Sequence, residues 1–221
     1  MASSATPATP TLPKSSSPYI IDKKPIACSK YQGLGVLTYI DPRDKDEVIR
    51  ERDFVFLRNY PDLHQPVGML VPNIYRDSRG RWCTILVQQF RPQYEADTIE
   101  FPAGFVSRCR AETAEQAAVR ELEEETTKTG SVIGPASPLL TSEPVPIAAK
   151  LSAVFVCARD KDGEEEGQQR LDKGEFTVEW EVPLRELETK LNELRDQHDV
   201  VVDPRVWMFA MGIRYAQELE L

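Results

Sequence analysis

Histidine and cysteine are scarce in this chain of 221 residues: His64 and His198 are the only histidines, and the cysteines are Cys28, Cys83, Cys109 and Cys157. The cysteines are scattered with no C-x-x-C pair, which argues against a structural zinc site and against a disulfide framework. Reduced thiols in an intracellular protein are therefore expected, in the cytoplasm with the nucleus as the alternative. Long apolar runs are also missing. No stretch approaches the roughly 18 residues needed to span a bilayer, so no membrane association is expected. Nor is there an excess of positive charge, since 27 Lys and Arg face 36 Asp and Glu for a net charge of -9. Such a surface does not neutralise phosphates, which excludes nucleic acid as a partner. An anionic substrate would need local help, from a metal or a few placed arginines. The opening MASSATPATPTLPKSSSP has no arginine and no apolar segment. It reads as a disordered tail over residues 1–17, neither a secretory signal nor a transit peptide.

What is present is a run of short strands and few helices. KYQGLGVLTYIDP and DFVFLR predict an antiparallel strand pair before residue 60. VGMLVPNIY and RWCTILVQQF, joined by RDSRG, predict a hairpin whose turn carries Gly80. IEFPAG is a short strand broken by Pro102 and Gly104, and LSAVFVCA reads as one continuous strand. EFTVEWEV alternates strictly, with Phe176, Val178, Trp180 and Val182 on one face. Helices are expected from Thr113, where T-x-x-Q forms a capping box, within LRELETKLNEL, and from Asp203-Pro204. Strands outnumber helices and the two do not alternate regularly, which predicts an α+β fold with a mixed sheet between helices.

The stretch RELEEET carries Glu121, Glu123, Glu124 and Glu125. On a helix, Ala114, Ala117, Ala118 and Leu122 form the inward face, and Glu121 and Glu125 fall in the middle of it with Glu124 at its edge. Glu112, Gln116 and Glu123 point the other way. A solvated acidic face would turn its carboxylates outward. Glu121 and Glu125 repel at i,i+4, lie at the negative end of the helix dipole, and would be costly to bury unpaired. A hard divalent cation relieves all three conflicts, because carboxylate oxygens suit Mg²⁺ or Mn²⁺. Arg120 can tie down Glu124 at i+4.

The segment PAGFVSRCRAETAEQAAVRELEEETTK resembles the Nudix box, G-x5-E-x7-R-E-U-x-E-E-x-G-U, U being bulky and aliphatic. Gly104 opens it, Glu112 is the first acid, and Arg120, Glu121, Leu122, Glu124 and Glu125 match in order. Two features depart from the pattern: seven residues instead of five separate Gly104 from Glu112, and Thr127 stands where the last glycine belongs. QFRP (89–92), IEFPAGF (99–105), GEF (174–176) and VDPRVWMFAMG (202–212) are similar to the ADP-ribose pyrophosphatase, or ADP-sugar diphosphatase, branch. The resemblance implies a Nudix α/β/α sandwich over residues 61–221, preceded by a small antiparallel β region over 18–60. It also implies a homodimer that exchanges this region.

The same resemblance implies the roles. The backbone carbonyl of Ala103, with Glu121 and Glu125, is expected to hold Mg²⁺, with Glu124 a further ligand or neighbour and Arg120 its support. Glu175 matches the acid that orients or deprotonates the attacking water, and is grouped with the metal site; Glu179 is its alternative. Arg91, Phe105 and Arg58 are expected substrate contacts, Arg91 as a phosphate clamp and Glu100 as a partner for Arg120. Tyr31 falls where a ring would stack on adenine, a second ring has no clean counterpart at Asp53 or Phe54, and Glu143 falls at the distal ribose. The implied activity is Mg²⁺-dependent hydrolysis of ADP-ribose or a related nucleotide sugar to AMP and a sugar phosphate. The alternative is a nucleotide-sugar-binding regulatory protein with little turnover.

Overall fold

The computed structural model describes residues 17–44, 46, 48–60, 62–142, 147–161, 169–171 and 176–220. The tail expected over residues 1–17 falls almost wholly outside them. Two compact units are formed, Met1–Leu63 with Ser142–Ala149, and His64–Thr141 with Lys150–Leu221.

The first unit is a three-stranded antiparallel sheet, β1 (Tyr19–Cys28), β2 (Gln32–Ile40) and β3 (Ile49–Leu57), with β2 in the middle. β2 and β3 are the pair expected from the sequence. β1 was not expected, because YIIDKKPIAC holds three charges and a proline. Proline cannot donate to a ladder and belongs on an edge or at a bulge. Pro25 satisfies both, since β1 is an edge strand with a register shift between Pro25 and Ala27. Phe54 and Phe56 lie opposite Gly35 and Gly33, and a Cβ on either glycine would strike the facing ring.

The second unit packs helices on both faces of its sheets. β4 (Gly68–Leu70), β8 (Ala103–Phe105), β10 (Leu140–Thr141) and β11 (Lys150–Ala153) form one sheet in the order β10-β11-β4-β8. β5 (Asn73–Arg76), β6 (Trp82–Arg91), β7 (Ala96–Glu100), β9 (Lys128–Val132), β12 (Val156–Asp160) and β14 (Val201–Val202) form the other, with β13 (Thr177–Pro183) alongside β6. The hairpin turn forms as expected, with Gly80 at φ +75°. Two expected strands are each split. VGMLVPNIY divides at Val71-Pro72 and LSAVFVCA at Val154-Phe155, each half entering a different sheet. The two segments run parallel in one register throughout, Leu151 opposite Gly68 and Val156 opposite Asn73. Both bend at the same level, a change that hydrophobic periodicity does not encode.

α1 (Ala114–Glu125) buries Ala117, Ala118 and Leu122 against Met69, Val71, Ile85 and Val156 on one face. On the other face α2 (Leu187–His198) and α3 (Pro204–Glu218) bury Leu187, Leu191, Leu194, Val206 and Ala210 against Leu86, Ile99, Phe101 and Val182. This is the layered α+β arrangement expected. β13 keeps its predicted face only in part, because Val182 is buried while Val178 and Phe176 are exposed.

Candidate active site

α1 begins where its sequence says it should. Thr113 accepts from the Gln116 N–H and the Gln116 side chain accepts from the Thr113 N–H, the reciprocal cap of a T-x-x-Q start. From that start the alanines face the sheet, and the acids follow them inward. Glu125 is buried, and the Glu121 side chain is 14% exposed.

The acids meet the edge strand β8. Val71 and Val106 N–H bond the carbonyls of Pro102 and Val67, so the β4–β8 ladder is hydrogen-bonded on either side of the Leu70–Ala103 pair. Ala103 therefore sits at a non-bonded position, with its N–H and C=O turned out of the sheet edge. Its N–H donates to Glu125 Oε2 at 3.2 Å. Gly104 lets the helix approach: a Cβ there would lie 2.0 Å from the Glu121 carboxyl carbon. The neighbouring Gly68 is equally required, since its Cβ would lie 2.3 Å from the Gly104 oxygen.

Arg120 is the hub. Its guanidinium donates to both oxygens of Glu112 (2.8 and 3.0 Å), to Glu121 Oε1 and Glu124 Oε2 (each 2.8 Å), and to the Phe105 carbonyl (3.1 Å). The expected i,i+4 tie to Glu124 is thus one of five bonds. The Glu112 bond, first among several, holds the guanidinium even more firmly protonated than usual. In return Arg120 draws the Glu112 carboxyl below its ordinary range. Glu112 was expected to face away, but its side chain is only 9% exposed. It precedes the first helical residue, so the helical wheel did not apply to it. Glu100 does not hold Arg120. It forms a bidentate pair with Arg91 (2.8 and 2.7 Å), the geometry that arginine offers a carboxylate or a phosphate.

Strand register places these groups on one face. Val87 pairs with both Glu100 and Glu179, and Gln89 with Thr98 and Thr177, so all lie on the Ile85 side that meets α1, together with Arg91. Phe105 is exposed on β8. In the first unit Arg58 and Tyr31 are neighbours: Arg58 N–H donates to the Tyr31 carbonyl, and its guanidinium to the Ser29 carbonyl at 2.8 Å. The Tyr31 ring is 61% exposed with Lys30 over it. Phe54 packs over Gly35 and against Phe56, with ring centroids 5.5 Å apart. Glu143 and Glu175 lie outside the described residues.

The helix end contains groups that the sequence did not reveal. The last four carbonyls of an α-helix have no partner within it. Here Leu122 C=O accepts from Thr126, Glu123 C=O from Lys161 Nζ (2.6 Å), Glu124 C=O from Arg170 N–H (2.8 Å), and Glu125 C=O from Gln169 Nε2 (2.6 Å). Lys161 also donates to Thr126 C=O at 2.9 Å, and burial pushes its pKa down. A buried cation at this position complements the helix dipole. Counting the orphan carbonyls shows that donors are needed, but nothing in RDKDGEEEG marks Lys161 as one.

The donor set suits a hard cation, with two inward carboxylates, a third at the edge and one outward carbonyl. Among the described residues no three Asp, Glu, His or Cys side chains converge on a single point. That is compatible with Mg²⁺, which keeps several waters and is bound by one or two carboxylates plus substrate oxygens. A family model described as the NUDIX domain matches residues 64–203, more than half of the chain. The chain belongs to the Nudix family. An ADP-sugar pyrophosphatase of Mus musculus is 31% identical over 180 residues, covering 81% of this chain and 79% of that one. An ADP-ribose pyrophosphatase of Saccharomyces cerevisiae is 30% identical over 194 residues, covering 87% and 80%. A solved ADP compounds hydrolase superposes with a TM-score of 0.62 over 96% of this chain and 98% of its own, at 17% identity, which is a likeness of fold.

Both departures from the Nudix pattern are absorbed locally. The connection lengthened by two residues contains a 3₁₀ turn, Arg108–Arg110, followed by Ala111 at φ +49°. The chain then returns, so that Glu112 Oε2 accepts from Ser107 N–H at 3.0 Å and still reaches Arg120. Where the Nudix box has its last glycine, no left-handed residue is needed. Thr126 leaves the helix in an extended conformation, φ -129° and ψ 171°, and Thr127 N–H and hydroxyl donate to Glu179 at 2.6 and 3.0 Å.

Proposed function

We propose that this Nudix hydrolase cleaves the pyrophosphate bond of ADP-ribose or a related ADP-sugar in a Mg²⁺-dependent reaction, releasing AMP and a sugar phosphate. The observation that carries the reading is the meeting of Glu121 and Glu125 with the outward backbone of Ala103. The names of the mouse and yeast relatives support the substrate class. Glu121, Glu125 and the Ala103 carbonyl would hold the ion, with Glu124 beside them. When bound, such an ion neutralises pyrophosphate oxygens that otherwise repel a nucleophile, and makes water more acidic.

The chain's own groups supply the rest. Arg120 holds the carboxylates of Glu112, Glu121 and Glu124 in place. Arg91, already in a bidentate pair with Glu100, has the planar fork that binds phosphate oxygens, and Phe105 lies exposed on β8, the strand that carries Ala103. Glu175 takes the proton of the attacking water by analogy with the family motif, and Glu143 contacts the distal ribose. Tyr31 stacks on the base, with Arg58 fixing the turn that carries it. The chain is read as a cytoplasmic homodimer exchanging its N-terminal sheet. Exposed Tyr19, Ile20, Ile21 and Ile26 on the edge strand β1 support that association. No helix among the described residues is long and apolar enough to cross a membrane.

A binding protein without turnover is suggested by the irregular motif and by the substituted base and sugar pocket; the local absorption of both irregularities answers the first of these. The test is AMP release from a panel of nucleotide sugars with Mg²⁺ and with EDTA. Turnover of ADP-sugars that EDTA abolishes is expected; no turnover of any member would refute the proposal.

A further inference from the structure

The β strand that follows the proposed catalytic segment is joined to the end of the helix of acids through a carboxylate and a hydroxyl. Glu179 on β13 accepts from Thr127 N–H at 2.6 Å with one oxygen and from the Thr127 hydroxyl at 3.0 Å with the other. Thr127 occupies the position of the missing glycine, two residues beyond Glu125. On the same stretch of β13, Thr177 Oγ1 donates to the Glu125 carbonyl at 3.4 Å, and Gln169, outside that strand, donates to the same carbonyl through Nε2 at 2.6 Å. The Glu179 and Thr177 contacts join the end of α1 to the start of β13, and Gln169 joins it to the connection before that strand.

From this we infer that Glu179 is a positioning residue rather than the base, and that Thr127–Glu179 replaces the glycine of the family motif as a tether between the acid helix and β13. This rests on the hydrolase reading above for its consequence on turnover, though not for the tether itself. A general base needs a carboxylate free to take a proton from water. Both oxygens of Glu179 instead accept from Thr127, one of them from a backbone N–H of fixed direction, which turns the carboxylate toward the end of α1. Holding Thr127 also fixes where the chain leaves Glu125, and a displacement of about 1 Å at a reacting centre can cost about a hundredfold in rate.

Glutamine separates the two roles. Its oxygen accepts from the Thr127 N–H and its amide donates to the Thr127 hydroxyl, so both bonds persist while basicity is lost. Glu179→Gln should keep kcat within about threefold of wild type, whereas Glu179→Ala should lower kcat about tenfold with KM little changed. Amide exchange at Thr127 provides a readout independent of turnover. It should be protected in the wild type and in Glu179→Gln, and about tenfold faster or more in Glu179→Ala. A loss of about a hundredfold in kcat for Glu179→Gln, the size typical of a removed acid–base group, would overturn the inference. So would unchanged Thr127 exchange in Glu179→Ala. The glutamine variant retains both bonds and decides the catalytic question even where the alanine variant fails to fold. If the wild type hydrolyses nothing, the functional proposal has failed and the exchange arm still tests the tether.

Discussion

Replacing Arg120 by glutamine removes the one cation shared by Glu112, Glu121 and Glu124. Arg120 is 22% exposed in its side chain, Glu112 9% and Glu121 14%, so these are largely buried ion pairs. Glu124 at 34% is screened by water, and its pair adds little. Breaking a buried pair by deleting one partner costs about 3–5 kcal/mol, because a carboxylate is left uncompensated. Glu112 keeps its bond from Ser107 N–H, which favours the lower end, about 3 kcal/mol. For a chain of this size that corresponds to about 6–12 °C in Tm. Trp82, Trp180 and Trp207 all lie in the second unit, so tryptophan fluorescence reports its unfolding. The cost should depend on pH with a definite sign. The Glu112 carboxyl is held below its ordinary value of 4.5, chiefly by the Arg120 bond. A depressed folded pKa gives stabilisation that is complete above the unfolded value and lost as pH falls through the folded one. The gap between wild type and Arg120→Gln should therefore be full at neutral pH and shrink below pH about 4.5. Equal melting at neutral pH, or a gap that widens on acidification, would refute the role given to Arg120.

Two further substitutions test the site from either side. Gly104→Ala places a Cβ where the Glu121 carboxyl lies; the side chain can swing aside, so the protein should fold while kcat falls about a hundredfold or more. A crystal structure of that variant with Glu121 unmoved would contradict the packing argument. Tyr31→Ala should raise KM for ADP-sugars about tenfold, the size of a lost stacking contact, and leave the pH optimum where it was. An unaltered KM would remove Tyr31 from the base pocket.

The acid helix was legible in the sequence because each of its determinants is local. A capping box sets the start, alanines set the face, and the face sets the direction of Glu121 and Glu125. The same reasoning failed one residue before the cap, at Glu112, where no helical period applies. β1 was hidden because Pro25 and its charged neighbours are permitted on an edge strand but do not advertise one. The splitting of VGMLVPNIY and LSAVFVCA escaped for a different reason: both halves of each are mostly apolar, and an apolar pattern does not show a change of sheet. Pairings such as Arg91 with Glu100 and Glu179 with Thr127 depend on strand register, which a single sequence does not show. Lys161 carried no signal at all, since a buried lysine inside a charged run looks like any solvated one.

The claim that the inward acids of α1 hold the ion that drives hydrolysis is tested most directly by kcat of Glu125→Gln on ADP-ribose across a Mg²⁺ titration. Glutamine can still accept the Ala103 N–H, so folding should persist as judged by an unaltered melt. The account predicts a fall in kcat of at least about a hundredfold that added Mg²⁺ does not restore. Wild-type turnover in that variant would contradict it.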